Sequence, residues 1–571
     1  MLAEIKSAFA LLSSKQQREY WQVAILLTLT SIADMVGIAA IIPAITALID
    51  YEGAVKKGYL NTLFNFLGQP EKSLFLIIVT GGAIAFIWGA AIFSTLGIFA
   101  RQRYIRRISA DMSTRAFGFY MNQSIEAFYD RPASEFMRNV NGVSERIATG
   151  IIDASFVIIS RSIQLIVIAA LLMAFDIRIT IFIVLSIAVA YFLIYSLIKR
   201  ALQRMSGDNF ESQRQLNQMI SGSFADYRNI HIDGKIKKFS AHFHEIKSKA
   251  SKKTANIEIL GTVPRSFIEI LGMSLLLIAA YQLGNTASDS HQLITTISLF
   301  AVAAYKILPS AQQIYHAVSK ITGALVVFQK VKEEWQGLDK QTVRNALEFS
   351  DLTPNRIEVR DLCYSNNNKD WVINSLNAVI TLEGIVRISG PSGSGKTTLV
   401  EILAGLRAPQ RGLVFVDGED LANISKDKWW SSIAYVNQSG HLMAGSIIEN
   451  VTAWSNSKDS QRYELISTIC GLDQLPSDVI TEGGSNLSGG QKCRVLLARA
   501  LYKRSKIVFL DETLSALDVP TAQEIISSIQ EHFPERCLII VSHRDAELPS
   551  DYQSIDISVR DRGLATASGE A

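Results

Sequence analysis

Six long apolar stretches, near residues 23–48, 73–99, 148–174, 177–198, 257–283 and 292–318, dominate the first half of the chain. Each is longer than the roughly 18 apolar residues that mark a bilayer-spanning helix. Asp176 and its neighbours alone separate the third from the fourth, which predicts a tight hairpin. Long polar segments with apolar residues at helical spacing separate spans two and three, and again four and five. After about residue 330 the pattern changes. Residues 331–355 are polar and charged and read as a linker. From Arg356 onward, short apolar runs at Ile385–Ile388, Gly412–Val416, Ile507–Leu510 and Cys537–Val541 alternate with helical patterns. That alternation predicts an α/β domain with a largely parallel sheet. The expected organisation is a six-helix membrane domain over 1–330, a linker over 331–355 and an α/β domain over 356–571.

Basic residues orient the spans. The segment after span two carries Arg101, Arg103, Arg106, Arg107, Arg115, Arg131 and Arg138, and the segment after span four carries Lys199, Arg200, Arg204, Lys235, Lys237 and Lys238. On the opposite side, Gly284–His291 has neither Lys nor Arg. The exception is the first outer loop, with Lys56, Lys57 and Lys72. It reads as a short amphipathic helix, Tyr59–Leu67, lying on the membrane surface. Both termini, both long loops and the α/β domain are therefore expected in the cytosol.

Composition agrees with this picture. The chain is 48% hydrophobic with a mean hydropathy of +0.20, high for a wholly soluble protein. A net charge of +3 in 571 residues argues neither for nor against nucleic acid; no nucleic-acid partner is expected. Cys363, Cys470, Cys493 and Cys537 all lie in the second half, match no zinc spacing, and suggest a reducing compartment. The first apolar run is too long for a signal peptide.

The strongest chemical signal is the run Gly390, Pro391, Ser392, Gly393, Ser394, Gly395, Lys396, Thr397 and Thr398, which fits G-x-x-x-x-G-K-[ST]. It follows a predicted strand and precedes a helical segment, the context that marks a phosphate-binding loop. Glycines let backbone N–H groups curl around phosphate oxygens, and the helix N-terminus adds its positive end. Lys396 would reach the β- and γ-phosphates of ATP, and Thr397 would ligate Mg²⁺. Further on, the apolar run from Ile507 ends in Asp511 and Glu512. Alone, such a pair is more often a solvated strand end. After a phosphate-binding loop it reads as Asp511 holding Mg²⁺ through water and Glu512 polarising the attacking water.

Leu487, Ser488, Gly489, Gly490 and Gln491 spell LSGGQ. This matches the signature of the ABC ATPases, which other phosphate-loop classes lack, and residues 355–571 resemble an ABC nucleotide-binding domain throughout. The resemblance implies that the signature of one subunit covers ATP held by its partner. It implies roles for Gln438 as a Mg²⁺ sensor, His543 at the γ-phosphate, and Ser515, Ala516, Leu517 and Asp518 as the loop coupling two sites. Where the family stacks an aromatic on adenine, Tyr364 is the choice; an alternative register puts Asn366 there, and Trp371 is nearby. Asn437 stands where proline is common, and Thr513-Leu514 where Ala-Thr is usual. One membrane domain with one ATPase domain is half a transporter of the type I exporter fold, so a homodimer using ATP and Mg²⁺ is expected. Coupling helices are expected near Ser124–Asp130 and Ser221–Asn229.

Charged residues at bilayer depth are costly and usually face a cavity or a partner. Asp34, Arg161, Arg265, Glu269 and Lys306 lie there. Arg265 and Glu269 are four apart and can simply pair. Arg161, Arg265 and Lys306 would otherwise form a basic cavity suited to a phosphate or pyrophosphate head group. Val263-Pro-Arg265, Thr296-Ile-Ser298, Tyr305-Lys-Ile-Leu-Pro-Ser310 and Gly483-Gly-Ser-Asn-Leu-Ser-Gly-Gly-Gln491 resemble the bacterial flippases of lipid-linked oligosaccharides in protein N-glycosylation. That resemblance implies an anionic, lipid-linked glycan as cargo, membrane lipid as partner, and the inner (cytoplasmic) membrane as location. The competing readings are an exporter of a peptide or hydrophobic small molecule, and an ATPase domain regulating a channel.

Overall fold

The computed structural model describes residues 2–49, 51–56, 59–123, 128, 131–173, 177–286, 290–335, 352–365, 371–437, 440–455, 459–542, 548–549 and 551–557. The chain divides into two compact units, one built from Met1–Gln123 with Arg131–Val343 and the other centred on Arg344–Ala571.

All six expected spans are helical. As far as they are described, they lie in Ser14–Ala39 with Ile41–Ile49, Lys72–Met121, Ala148–Ile152 with Asp153–Met173, Ile177–Ala225, Ile236–Thr262 with Pro264–Thr286, and Ser290–Trp335. Among the described residues, three helices are long and apolar enough to cross a membrane: Lys72–Met121, Ser134–Met173 and Ile177–Ala225. The helices do not stop where the apolar stretches stop. Lys72–Met121 has 50 residues, which at 1.5 Å per residue is about 75 Å, against about 30 Å for a hydrocarbon core. Its apolar half leaves Ile77, Trp88, Ile92 and Phe99 exposed, a surface matched to lipid rather than water. Its polar half packs with Tyr20, Phe156, Phe328 and Trp335 into a buried cluster, where Tyr20 stacks on Phe156 with ring centroids 4.3 Å apart. Val263 separates the helices Ile236–Thr262 and Pro264–Thr286; proline lacks an N–H to continue a ladder but suits a first helical position.

The expected surface helix is present as Tyr59–Phe66. Leu60 and Phe64 pack on Phe75, while Leu63 and Phe66 remain exposed. Near the second expected coupling helix, Ile177–Ala225 ends and a short helix, Tyr227–Ile232, follows. The first lies largely outside the described residues. The last long helix runs to Trp335, with Val331 and Trp335 buried, so the polar linker expected from 331 begins after Trp335. Lys330, Lys332, Glu333 and Glu334 masked that buried edge in the sequence.

In the second unit the strands are β1 (Arg356–Tyr364), β2 (Ile373–Thr381), β3 (Ile385–Ser389), β4 (Arg411–Val416), β5 (Glu419–Asp420), β6 (Ile433–Val436), β7 (Gly445–Ser446), β8 (Val479–Ile480), β9 (Ile507–Asp511), β10 (Cys537–Val541) and β11 (Gln553–Asp556). A five-stranded sheet in the order β11-β3-β10-β9-β6 is parallel throughout. The expectation of one largely parallel sheet needs correcting, because β2-β1-β4-β5 form a second sheet that is antiparallel. Alternating exposed and buried residues on β1 mark it as half-solvated, whereas every residue of β9 and β10 is buried. Trp429 and Trp430 donate indole N–H bonds to the carbonyls of Leu403 and Ala404, at 3.1 and 3.0 Å. They satisfy the open C-terminal end of the helix Lys396–Leu403 and hold it against the sheet.

Candidate functional site

β3 and β9 flank β10, so their C-terminal ends open onto one crevice, where ligands of parallel α/β sheets bind. β3 leads into the loop 390–395, and β9 ends in Asp511. Gly395, at φ +93°, caps the helix Lys396–Leu403; a Cβ there would sit 2.8 Å from the Val372 side chain. Only glycine meets both demands. The buried Lys396 donates through its ammonium to the carbonyls of Gly390 and Pro391, at 3.0 and 2.9 Å.

Asp511 is 2% exposed. Thr397 donates its hydroxyl to Oδ1 at 3.2 Å, and the Tyr435 hydroxyl lies 3.4 Å from Oδ2. Burial pushes the Asp511 carboxyl above its usual range, opposed by these two bonds. A hydroxyl beside a carboxylate is a hard-oxygen donor set of the kind Mg²⁺ prefers. Glu512 follows at φ +50°, a left-handed conformation that costs a non-glycine residue energy and concentrates at functional sites. Its N–H donates to the Val541 carbonyl at 3.1 Å, and its carbonyl accepts the Ser515 hydroxyl at 2.6 Å. Gln438 and His543 lie outside the described residues.

The signature residues open the helix Gly489–Tyr502 through a capping box. Ser488 Oγ accepts from the Gln491 N–H at 3.3 Å, and Gln491 Oε1 accepts from the Ser488 N–H at 2.9 Å. A Cβ on Gly490 would approach the Ala516 carbonyl to 3.2 Å, so this helix start packs against the loop 515–518. Asp518 caps the next helix, accepting from the Thr521 N–H and hydroxyl at 3.2 and 3.0 Å. At the far end of the signature helix, Arg462 and Arg536 donate to the carbonyls of Leu501, Tyr502 and Lys503. Cations there complement the helix dipole; sequence reading missed both, since neither belongs to a motif.

Tyr364 is buried. Its ring is 6% exposed within a hydrophobic cluster, and its hydroxyl accepts from Arg407 at 2.8 Å. It presents no open face to a base. Trp371 is 47% exposed, and its neighbour Val372 is the residue packed against Gly395. Asn366 lies outside the described residues.

In the helical unit, Arg161 donates to Gln313 and Gln164 at 2.8 and 2.6 Å, and Ser310 donates to Gln164 at 3.3 Å. Arg265 pairs with Glu269 at 2.7 Å, as its spacing allowed. Lys306 forms no hydrogen bond or ion pair among the described residues. It sits four and seven positions before Ser310 and Gln313, on the helix face that holds Arg161. Ser94 donates to Asp34 at 3.2 Å.

The family model described as ABC transporter matches residues 373–515, and that described as ABC transporter transmembrane region matches 22–304. A provisionally named export ATP-binding/permease protein of Rickettsia bellii is 25% identical over 510 residues, covering 85% of this chain and 86% of that protein. A beta-(1→2)glucan export ATP-binding/permease protein of Agrobacterium vitis is 23% identical over 507 residues, covering 84% and 82%. The solved structure of a bacterial Atm1-family ABC exporter with ATP bound aligns with a TM-score of 0.74 at 17% identity, over 95% of this chain and 93% of that one.

At the C-terminal end of the signature helix, the half-buried Lys503 donates to the Trp430 carbonyl, and burial pulls its pKa down to about 8 from 10.5. Between those values the unfolded chain holds a proton that the folded chain has released. Stability therefore rises with pH through that window, and the penalty is complete below about 8. Lys503→Met should raise the melting midpoint relative to the parent most below pH 8, with the gap closing towards pH 10.5. A pH-independent gap in thermal melts of nanodisc samples would count against this account.

Proposed function

We propose a cargo and a working cycle for a chain that belongs to the ABC transporters, its membrane region and its ATP-binding domain fused in one polypeptide. It is a multi-pass membrane protein that couples ATP hydrolysis to export. The proposed cargo is a polyprenyl-pyrophosphate-linked glycan, flipped from the cytosolic leaflet of the inner membrane by a homodimer. The observation that carries this reading is Lys306 without a counter-ion among the described residues, one helix face with Ser310 and Gln313, and Arg161 held on that face by neutral amides. Two cations at bilayer depth, neither bonded to a carboxylate among the described residues and only Arg161 with one, Asp34, near enough to act on its charge, suit an anionic head group. Arg265, neutralised by Glu269, contributes less. A relative named for glucan export supports a saccharide cargo.

The proposed cycle is alternating access. Each ATP sits between the loop 390–398 of one subunit and the signature helix N-terminus of the other, which draws the two ATPase domains together. Gln438 and His543 complete the site in this reading. Mg²⁺ held by Thr397, Asp511 and Gln438 would offset phosphate charge. Glu512, fixed by the Val541 carbonyl, orients the attacking water and accepts its proton. Coupling helices near 124–130 and 221–229 carry the closure to the membrane helices, and hydrolysis resets them. Cargo shifts this equilibrium only by its difference in affinity for the two states.

ATPase activity in nanodiscs should rise with a polyprenyl-pyrophosphate oligosaccharide and not with a hydrophobic peptide. Lys306→Ala should raise the half-stimulating glycolipid concentration about tenfold, the loss of one charge-assisted bond of roughly 1.4 kcal/mol. Stimulation by peptide alone would move the cargo to peptide export.

Trp371 is the proposed adenine-stacking aromatic in place of Tyr364. Base stacking contributes about 1–3 kcal/mol, so Trp371→Ala should raise the ATP KM about tenfold while Tyr364→Phe leaves it near the parent value. The reverse ranking, measured by initial-rate ATPase assays, would return the role to Tyr364.

A further inference from the structure

One phenol oxygen in the helical unit has every hydrogen-bonding position filled. Tyr120 donates its hydroxyl to Glu334 Oε2 at 3.0 Å and accepts from Asn139 Nδ2 at 3.0 Å and Trp335 Nε1 at 3.3 Å. A hydroxyl has one donor and two acceptor positions, so nothing is left over. The other oxygen of Glu334 accepts from Arg131 at 2.7 Å. Tyr120, Asn139 and Trp335 are buried, and buried polar groups at this density hold only when all are satisfied. Asn139 reaches the phenol from a π-helical segment, Arg138–Val143. Such an extra residue in a helix re-aims side chains and often marks functional positions.

The chain positions of these residues give the cluster its meaning. Tyr120 lies at the end of Lys72–Met121, just before the first expected coupling helix, and Arg131 directly follows that segment. Glu334 and Trp335 are the last residues of the helix Ser290–Trp335, from which the chain leaves towards the ATPase domain. Two stems of the coupling segment and the root of the interdomain connection are therefore fastened to one oxygen and one carboxylate. Rotation of either without the other would strip a buried phenol, amide and indole of their partners, which is costly for groups shielded from water.

We propose that Tyr120 and Glu334 form a clasp that makes the coupling segment and the root of the interdomain linker move as one body, so that ATP-driven closure is converted into opening of the cavity. They are positioning residues and touch neither ATP nor cargo. The inference rests on the alternating-access part of the proposed function and is independent of the cargo.

The test uses the full chain in nanodiscs with one spin label per protomer at Glu71→Cys, an exposed outer position; the four native cysteines are buried. The distance between protomers is measured without nucleotide and with ATP and vanadate. Tyr120→Phe, Glu334→Gln and the double variant are compared with the parent. The clasp predicts that each single variant keeps its basal ATPase rate and ATP KM within about twofold, while the trapped fraction falls below roughly half of the parent's. It also predicts that the double variant is no worse than the more affected single, because both changes open the same cluster. Full conversion in both single variants, additive losses in the double, or loss of basal ATPase in step with conversion would overturn the proposal. A parent that fails to convert would overturn alternating access itself, and the clasp with it.

Discussion

A carboxylate at the end of a wholly apolar, fully buried strand is the constraint on which the ATP-binding unit turns. Asp511 cannot be ionised there without compensation. Two neighbours supply it: Thr397 from the helix after β3, and Tyr435 from β6. Both bonds come with the observed strand order, in which β10 separates β3 from β9 while β6 lies on the other flank of β9. Sheet topology and site are thus one requirement. The two tryptophans that close the far end of the Lys396–Leu403 helix serve the same end, since they fix the helix that carries Thr397.

The helical unit obeys a different constraint. Its outer surface is apolar and needs no specific partner, so polar groups at bilayer depth must find partners inside or serve a cargo. Asp34 has Ser94, Arg265 has Glu269, and Arg161 has two glutamines. The glutamines satisfy Arg161's hydrogen bonding, while the Asp34 carboxylate is near enough to act on its charge without bonding to it. That distinction separates Arg161 from Arg265, and sequence spacing hinted at only half of it: the four-residue interval of Arg265 and Glu269 was visible, while Gln313 comes from a helix remote in sequence.

How much was legible follows from how local each signal is. The phosphate loop, the acidic strand end and the signature are contiguous runs tied to one strand or helix start, and they stand where their pattern implied. Tyr364 lies in a run, Leu362–Ser365, that is buried without alternation, so the period-two pattern of a strand does not show which residue there stays open to a ligand. Trp371 carried no pattern of its own; its place beside Gly395 depends on Val372 packing across the fold. The antiparallel second sheet was hidden because strand direction is a pairing property and not a property of either strand. The cluster around Tyr120 joins residues more than two hundred positions apart, and no periodicity signals such a contact.

Several motif residues carry a structural duty that would keep them in place without any ligand. Ser488 and Gln491 cap their own helix, Asp518 caps the next, and Ser515 closes the turn after Glu512. A helix start that is already capped within the chain has its remaining N–H groups organised in advance, so little further ordering is needed when an anion arrives. Arg462 and Arg536 hold the opposite end, which limits how the helix can tilt. The signature helix is therefore rigid at both ends. In the proposed alternating-access cycle the freedom lies between domains rather than within the site, which is where the clasp proposed at Tyr120 and Glu334 would act.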